Sequence, residues 1–300
     1  WSTTAAVGHR LSQGAVRANV GRISPRSDLP GRISRSANVG RISRGAPRLR
    51  RADPGHGRFA LWYAWSMITK ADIEAARARI RPHVRETPLL AVRGDDLGLA
   101  FDVELKLELL QVTGTFKPRG AFNTLLSHPV PPAGVCAASG GNHGVAVAHA
   151  ASRLGHRARI FVPEISSPAK VARIREAGAE LVVGGARYAD ALEACEAYAV
   201  KEGALSVHAY DAWETIAGQG TVGAEWESRT AGLDTVLVAS GGGGLVAGIA
   251  RWFEREVKVV AVEPEGSCAL HAALRAGGPV DVPVESVAAD SLGARNVFSR

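Results

Sequence analysis

The chain has 300 residues, of which 46% are hydrophobic, and a formal net charge of +7. No apolar run approaches the roughly 20 residues of a membrane-spanning helix, so we expect no membrane partner. The three cysteines, Cys136, Cys195 and Cys268, fit neither a disulfide framework nor a metal-site spacing, and they favour a reduced, cytoplasmic setting.

The positive charge is concentrated at the N-terminus. Residues 1–66 contain twelve arginines, no lysine and two acidic residues, which leaves the rest of the chain slightly acidic. Residues 18–24 recur word for word at 37–43, without a helical or strand period. We predict a disordered Arg-rich tail and place the native start at Met67, with a functional basic arm as the alternative. Because the charge lies in this tail, we expect no nucleic-acid partner.

From Met67 onward, helical and strand-like segments alternate, and Thr69 is placed to cap the first helix. Further helical patterns lie at 117–127, 143–154, 167–177, 187–201, 215–229 and 244–255. Runs rich in β-formers lie at 103–108, 135–139, 158–163, 180–184, 205–210, 235–240 and 258–263. The alternation predicts βαβ units and an α/β fold with parallel sheet, whose ligands bind at the strand-to-helix loops.

The first unusual loop, residues 113–121, places Lys117 where a helix begins, between Phe116 and Pro118. A lysine at this end of a helix meets a partial positive charge. That charge and the apolar neighbours predict a lowered pKa and an amine that is nucleophilic toward an aldehyde. A solvated surface lysine is the alternative.

The second loop, Ser139 to Gly144, runs from an apolar strand into an alanine-rich helix. Its glycines allow a ligand to approach the backbone, and the new helix offers free N–H groups to an anion. An ordinary tight turn capped by Asn142 is the alternative, and His143 fits a structural or a catalytic role equally well.

The third loop, Gly241 to Gly244, joins an apolar strand to an apolar helix. Four successive glycines expose consecutive amides that would form a nest for a phosphate, whereas a flexible linker is the alternative. No Gly-Lys-Ser/Thr follows, so the loop is not a Walker motif. Together, the three loops indicate a cofactor that carries both an aldehyde and a phosphate.

These loops resemble those of the fold-type II pyridoxal-phosphate (PLP) enzymes, in particular the serine/threonine dehydratases, which include threonine ammonia-lyases and serine racemases. Further similar segments are 106–125, 217–221 and 262–264. The resemblance implies two open parallel-sheet α/β domains with the cofactor between them. A large domain would comprise 67–130 and 211–300, and a small mobile domain would comprise 131–210.

The resemblance also implies roles for individual residues. Lys117 would hold PLP as a Schiff base and act as the base at the substrate α-carbon. Phe116 would lie against the cofactor ring, and Asn142 would bind the ring oxygen. The implied phosphate ligands are Gly241, Gly242, Gly243 and Gly244. The main chain of Ser139, Gly140, Gly141, Asn142 and His143 would bind the substrate carboxylate.

The implied activity is an ammonia-lyase that converts L-threonine and/or L-serine into a 2-oxo acid and ammonia by α,β-elimination. The alternatives are a β-replacement enzyme, a threonine synthase, a racemase, or an inactive PLP-binding fragment. We expect a small amino-acid substrate, a homo-oligomer for the full-length protein, and no separate regulatory domain.

Three departures from the family pattern qualify the resemblance. Racemases carry a serine at the position of Gly140, so elimination is favoured over racemisation. Metal-binding relatives carry a carboxylate where this chain has Ala269, so we expect no metal, with Glu263 as a weak candidate ligand. The last residues, 297–300, do not resemble the family, and we predict that the chain is truncated at its C-terminus.

Overall fold

The computed structural model describes residues 5–10 and 68–297, with the backbone alone for 5–10 and Asp290. The strands are β1 (Ala5–Arg10), β2 (Leu89–Val92), β3 (Val103–Leu107), β4 (Val135–Ala138), β5 (Ala158–Val162), β6 (Glu180–Val183), β7 (Leu205–Ser206), β8 (Leu233–Ala239) and β9 (Lys258–Val262). The helices are α1 (Lys70–Ile80), α2 (Gly94–Leu97), α3 (Lys117–Ser127), α4 (Asn142–Arg153), α5 (Pro168–Glu176), α6 (Tyr188–Glu202), α7 (Trp213–Glu227), α8 (Gly244–Phe253), α9 (Ala269–Ala276) and α10 (Ala289–Leu292). A 3-10 turn covers Glu108–Leu110.

The first helix begins where the sequence predicts. Asp72 N donates to Thr69 Oγ1 at 3.2 Å, and Thr69 N donates to Asp72 Oδ2 at 2.7 Å. This reciprocal capping box satisfies two backbone donors that the start of a helix leaves without partners. The predicted N-cap at Thr69 is confirmed.

The smaller sheet has the strand order β6-β5-β4-β7, and all its pairings are parallel. Parallel neighbours need crossover connections, which here are the helices α4, α5 and α6. β4 is buried along its whole length, because helices cover both of its faces. The loop after β4 therefore emerges from a rigid, buried strand.

The larger sheet has the order β2-β3-β1-β8-β9 and differs from the expected parallel arrangement. Only β8 and β9 pair in parallel, whereas β2–β3, β3–β1 and β1–β8 are antiparallel. The alternation of helices and strands predicts the α/β class, and that prediction is confirmed. It does not predict strand direction where short connections join neighbours, as between β2 and β3.

Strand β1 corrects the prediction for part of the N-terminal tail. Residues 5–10 lie between β3 and β8 and pair with both, so the prediction of disorder is wrong for these six residues. Backbone pairing on both edges gives a strand hydrogen bonds that do not depend on a sequence period. The remainder of 1–66 lies outside the described residues.

The two largest of four apolar clusters form most of the core of the described residues. One surrounds the smaller sheet and includes Phe122 and Leu125 of α3. The other joins α1, α7 and α8 to β8, with Trp226 fully buried at its centre. Helix α3 packs against α4 on one side and α7 on the other, so its first turn is held between the two clusters.

Helix α7 lies unusually close to its neighbours at two glycines. A Cβ on Gly218 would lie 2.5 Å from Arg119 O in α3, and a Cβ on Gly220 would lie 2.9 Å from Gly248 O in α8. Both separations are too short for real atoms, so these positions require glycine. The backbone of α7 is thereby fixed between the helix that carries Lys117 and the helix that follows the glycine loop.

Within residues 5–10 and 68–297, each helix is too short or too polar to cross a bilayer.

Candidate functional site

Lys117 is the first residue of α3, and its side chain is half-buried. Its Nζ donates a hydrogen bond to Ala209 O at 2.7 Å and lies 5.1 Å from the centre of the Phe116 ring. Burial lowers the pKa of this amine to about 8, since a charged ammonium is poorly solvated there. The direction agrees with the sequence prediction, and Lys117 is not an ordinary surface lysine.

The loop after β4 leads directly into α4, which begins at Asn142. The N-cap is Gly141, which has no side chain to cap the helix, and its N–H donates to Ser139 Oγ at 3.1 Å. The first N–H groups of α4 and its dipole therefore favour an anion at this end. A side chain at Gly140 would collide with the hydroxyl of Ser166, so a larger residue there would require Ser166 to move.

His143 is buried, and its Nε2 lies 2.8 Å from Val207 O. A carbonyl oxygen can only accept, so Nε2 carries the proton. Burial, followed by the charge of Lys117, lowers the pKa of His143 to about 3. The histidine is therefore neutral near pH 7 and anchors α4 to the segment that follows β7. This geometry supports the structural alternative for His143.

The glycine loop joins β8 to α8, as predicted. Gly243 precedes α8 with φ = +89°, a left-handed conformation that favours glycine. A Cβ on Gly244 would lie 2.7 Å from Gln219 Oε1, and one on Gly242 would collide with the Tyr210 ring. The start of α8 is thus another uncapped helix end, enclosed by side chains from α7 and from the segment after β7.

Two buried polar atoms beside this loop have no hydrogen-bond partner among the described residues. They are Ser240 Oγ, at the end of β8, and Gln219 Oε1. Buried polar groups are nearly always paired, so an orphaned pair beside a glycine-rich helix start indicates a place for a polar ligand. The Ser240 hydroxyl and the main-chain amides of the loop can donate to a phosphate group, whereas Gln219 Oε1 can only accept.

Residues 207–210 bring the three loops together. Val207 O pairs with His143, Ala209 O accepts from Lys117 and from Gln219, and Tyr210 packs against the glycine loop. We name these four residues the connector. Neither the connector nor Gln219 was predicted as part of the site, although Gln219 lies inside the family-like segment 217–221. A backbone carbonyl gives no signal in a sequence, and only the packing of α7 shows where Gln219 points.

A buried ion cluster lies behind Lys117. Arg119 Nε donates to Glu108 Oε2 at 2.8 Å, and Arg119 Nη1 donates to Glu225 Oε1 at 2.6 Å. Lys106 Nζ donates to Glu225 Oε2 at 2.8 Å and lies 3.8 Å from Glu108 Oε1. Two cations therefore face two anions in a site almost closed to solvent. The cluster joins β3, the 3-10 turn, α3 and α7 at the level of the first turn of α3.

The electrostatics of this cluster favour its charged form. Burial by itself would raise the pKa of Glu225, but hydrogen bonds and charge from Arg119, together with the charge of Lys106, lower it. Burial would lower the pKa of Arg119, yet Glu108 and Glu225 raise it. Arg119 and Glu225 therefore stay charged as a pair near neutral pH, whereas burial lowers the pKa of Lys106.

Glu263 has a structural partner in α9. Its two carboxylate oxygens accept hydrogen bonds from Leu270 N and His271 N, each at 2.8 Å. A carboxylate in this position caps the helix and complements its dipole. Among residues 5–10 and 68–297, no group of three His, Cys, Asp or Glu side chains is arranged to hold a metal ion.

Comparison with known proteins places this chain in a family. The family model "pyridoxal-phosphate dependent enzyme" matches residues 80–300, and the chain belongs to that family. It is 40% identical over 229 residues to a phenylserine dehydratase of Ralstonia pickettii, covering 74% of this chain and 69% of that protein. It is 38% identical over 234 residues to an L-threonine ammonia-lyase of Geobacter sulfurreducens, covering 76% of this chain and 58% of that protein.

Solved structures give the same fold. Maize serine racemase superimposes with a TM-score of 0.70 at 30% identity, over 75% of this chain and 70% of that one. The processed form of threonine deaminase isoform 2 from Solanum lycopersicum also gives 0.70, at 29% identity, over 81% of this chain and 70% of that one. The predicted fold-type II α/β class is confirmed by these superpositions.

Proposed function

We propose that this protein is a PLP-dependent ammonia-lyase that converts L-threonine and/or L-serine into a 2-oxo acid and ammonia. The observation that carries the proposal is the Lys117 amine, which has a lowered pKa and hydrogen-bonds the connector. The relatives that act on threonine and phenylserine support a β-hydroxy amino acid as the substrate class.

The residues that would hold PLP surround the connector. Lys117 would hold the cofactor covalently through Nζ, and Phe116 would lie against its ring. Asn142 would bind the ring oxygen, and the amides of Gly241 to Gly244 would bind the phosphate at the start of α8. When bound, PLP supplies an electron sink for the pair left on the substrate α-carbon.

The substrate carboxylate would bind at the other helix start, among the main-chain amides of Ser139 to His143. The dipole of α4 and the uncapped N–H groups favour a negative charge there. Neutral His143 adds no competing charge. Two anion sites, one for the cofactor phosphate and one for the carboxylate, would fix the amino acid so that its α-hydrogen faces Lys117.

Lys117 would then act as the base. With PLP bound, its neutral Nζ would take the α-proton, and the ammonium so formed would give that proton to the departing β-hydroxyl, which would leave as water. Ala209 O is placed to accept a hydrogen bond from the resulting ammonium. The released enamine tautomerises and takes up water, which yields the 2-oxo acid and ammonia, so the net change is loss of ammonia.

An absorbance spectrum with PLP, recorded before and after addition of L-threonine, L-serine or L-phenylserine, tests the proposal. We expect an absorbance band near the short-wavelength edge of the visible range, and formation of a 2-oxo acid after the amino acid is added. A band without product from any of the three would contradict the activity but keep the cofactor. A folded sample without the band would contradict the cofactor assignment as well.

The rate at which cofactor-free protein captures PLP should depend on pH. Only the neutral amine attacks an aldehyde, and burial sets the Lys117 pKa at about 8. We therefore expect the rate to rise about tenfold per pH unit below this value and to level off above it. Stopped-flow absorbance measures the rate. A rise that continues to pH 10 would contradict a buried amine.

Gly243→Ala should weaken PLP binding at least about tenfold, since φ = +89° at this position strains any residue with a Cβ and shifts the amides of the loop. Gly232→Ala is the matched control, because Gly232 has φ = +78° and open space around it, outside the site. Both variants should lose about 1–2 kcal/mol of unfolding free energy. Equal PLP affinity in the two would refute a phosphate role for the loop.

Elimination is favoured over racemisation by the absence of a side chain at Gly140. A racemase needs a second proton donor on the opposite face of the substrate, and Gly140 carries no side chain. Chiral chromatography of the reaction mixture tests this point. D-serine formed as fast as 2-oxo acid would favour the racemase alternative.

The proposal extends to the organisation of the protein. Residues 131–210 would form a mobile domain, because they contain the whole parallel sheet β6-β5-β4-β7, and its closure would exclude water. Cys136, Cys195 and Cys268 are free thiols, in keeping with a cytoplasmic setting. A homo-oligomer is proposed from the resemblance alone, and light scattering of the purified protein tests it.

A further inference from the structure

Gln219 lies between the two halves of the proposed cofactor site. It is 1% exposed and lies on α7 between Gly218, which contacts α3, and Gly220, which contacts α8. These close contacts leave α7 little freedom to shift. The Gln219 amide is therefore held at a fixed place between Lys117 and the glycine loop.

One end of this amide shares an acceptor with the catalytic amine. Gln219 Nε2 donates to Ala209 O at 3.3 Å, and Lys117 Nζ donates to the same oxygen at 2.7 Å. Because a carbonyl oxygen only accepts, this hydrogen bond identifies the nitrogen end of the amide. The two donors are thus neighbours that share one carbonyl oxygen, and each weakens the hydrogen bond that the other makes to it.

The other end of the amide faces the glycine loop without a partner. Gln219 Oε1 is buried, forms no hydrogen bond among the described residues, and lies 2.7 Å from where a Cβ on Gly244 would be. An unpaired buried acceptor is unfavourable because it has lost its hydrogen bonds to water without gaining others. This orphaned atom is an independent indication that a ligand at the loop changes the pairing of Gln219.

We propose that Gln219 is a positioning residue that joins the phosphate site at Gly241–Gly244 to the amine of Lys117. The inference rests on the proposed function and deepens it. A half-turn of the amide, driven by an anion at the loop, brings Nε2 toward that anion and Oε1 toward Lys117 Nζ. Binding of the phosphate group would thus give the amine a second acceptor and orient it for reaction.

The charge environment of Lys117 makes the effect measurable. His143 is the ionisable group whose pKa responds to the charge of Lys117, and at about 3 that pKa lies far below the range in which the amine titrates. Phe116 contributes an uncharged ring on the other side. A new charge at position 219 therefore acts on the amine without a competing titration of His143.

The test uses the full chain freed of cofactor, with inorganic phosphate as the probe. Two quantities are measured: the pKa of Lys117, from the pH dependence of its acetylation followed by mass spectrometry, and the dissociation constant of phosphate. In Gln219→Glu, the carboxylate should raise the Lys117 pKa by at least about one unit, since it attracts the ammonium. It should also weaken phosphate binding at least tenfold by repulsion.

Gln219→Met should also raise the Lys117 pKa and weaken phosphate binding, but by less than Gln219→Glu. It removes the donor that shares Ala209 O without adding a charge. Near-UV circular dichroism verifies folding, and Gln219→Met decides the matter if Gln219→Glu does not fold. The matched control is Gln111→Glu. Gln111 is a buried glutamine whose amide pairs with the backbone of Arg85, and this variant should leave both quantities unchanged.

In PLP-loaded protein, the same Gln219→Glu change should accelerate cofactor release on dilution at least tenfold. In the cofactor-free variants, a change in the Lys117 pKa alone, in phosphate affinity alone, or in neither would overturn the link through Gln219. An unaltered protein with a Lys117 pKa near 10.5 and no affinity for phosphate would instead overturn the proposed function.

Discussion

Lys117→Ala should abolish the reaction, with at least about a 10⁴-fold loss of turnover. One substitution removes both the covalent attachment point of PLP and the base at the α-carbon, and a general base alone contributes about 10²- to 10⁴-fold. Assay of the 2-oxo acid under saturating PLP measures the loss. The absorbance band near the visible edge should disappear with the activity.

The matched control for this variant is Lys201→Ala. Lys201 is an exposed lysine at the end of α6, next to Glu202, and no loop of the site contains it. Its replacement should leave turnover within about twofold. Loss of less than tenfold in Lys117→Ala would show that another group performs the chemistry and would reject Lys117 as the base.

Arg119→Met should destabilise the fold by about 3–5 kcal/mol, the usual effect of breaking a buried ion pair from one side. It leaves the carboxylates of Glu108 and Glu225 facing Lys106 alone, in a site almost closed to solvent. Urea denaturation monitored by tryptophan fluorescence measures the change. The loss should persist at high salt, because buried charges are poorly screened.

Arg159→Met supplies the comparison for this effect. Arg159 pairs with Glu180 at 2.6 Å, but both side chains are partly exposed, at 28% and 52%. Surface pairs of this kind contribute about 0–1 kcal/mol. If the two variants lost equal stability, the cluster behind Lys117 would have no special structural role.

Acid should affect the buried cluster in a defined direction. The pKa of Glu225 is lowered in the folded protein, so its contribution to stability is fully present above the pKa of an unfolded glutamate. That contribution is lost as the pH falls through the lowered value. The difference in stability between the unaltered protein and Arg119→Met should therefore shrink in acid.

Much of the fold was predictable because local rules set helix starts and strand ends. The capping box at Thr69 and the predicted helix at 117–127 agree with the structure, because their signals lie within a few residues. The antiparallel pairings of β1, β2 and β3 were not predictable. Pairing between distant segments depends on which edges remain free, and residues 5–10 show no pattern that identifies their partners.

The sequence predicts the loops of the candidate site but not the residues that bring these loops together. Lys117 and the two glycine-containing loops follow strands, where chain order and residue type already indicate chemistry. Tyr210 and Gln219 enter the site through packing, because α7 approaches α3 at Gly218 and α8 at Gly220. Such proximity is a tertiary property, and neither residue type by itself indicates a cofactor.

The acceptor that holds the Lys117 amine is the main-chain oxygen of residue 209, which is present whatever amino acid occupies that position. Evolution can therefore exchange the side chain at 209 without deleting the group, so sequence variation there says nothing about its importance. Only chemical synthesis can weaken it directly, for example by replacing the 209–210 peptide bond with an ester. That ester retains every side chain and makes the Ala209 carbonyl a poorer acceptor. It also removes the Tyr210 N–H, which donates to His208 Nδ1 at 3.3 Å, so it probes two backbone hydrogen bonds that no side-chain substitution removes.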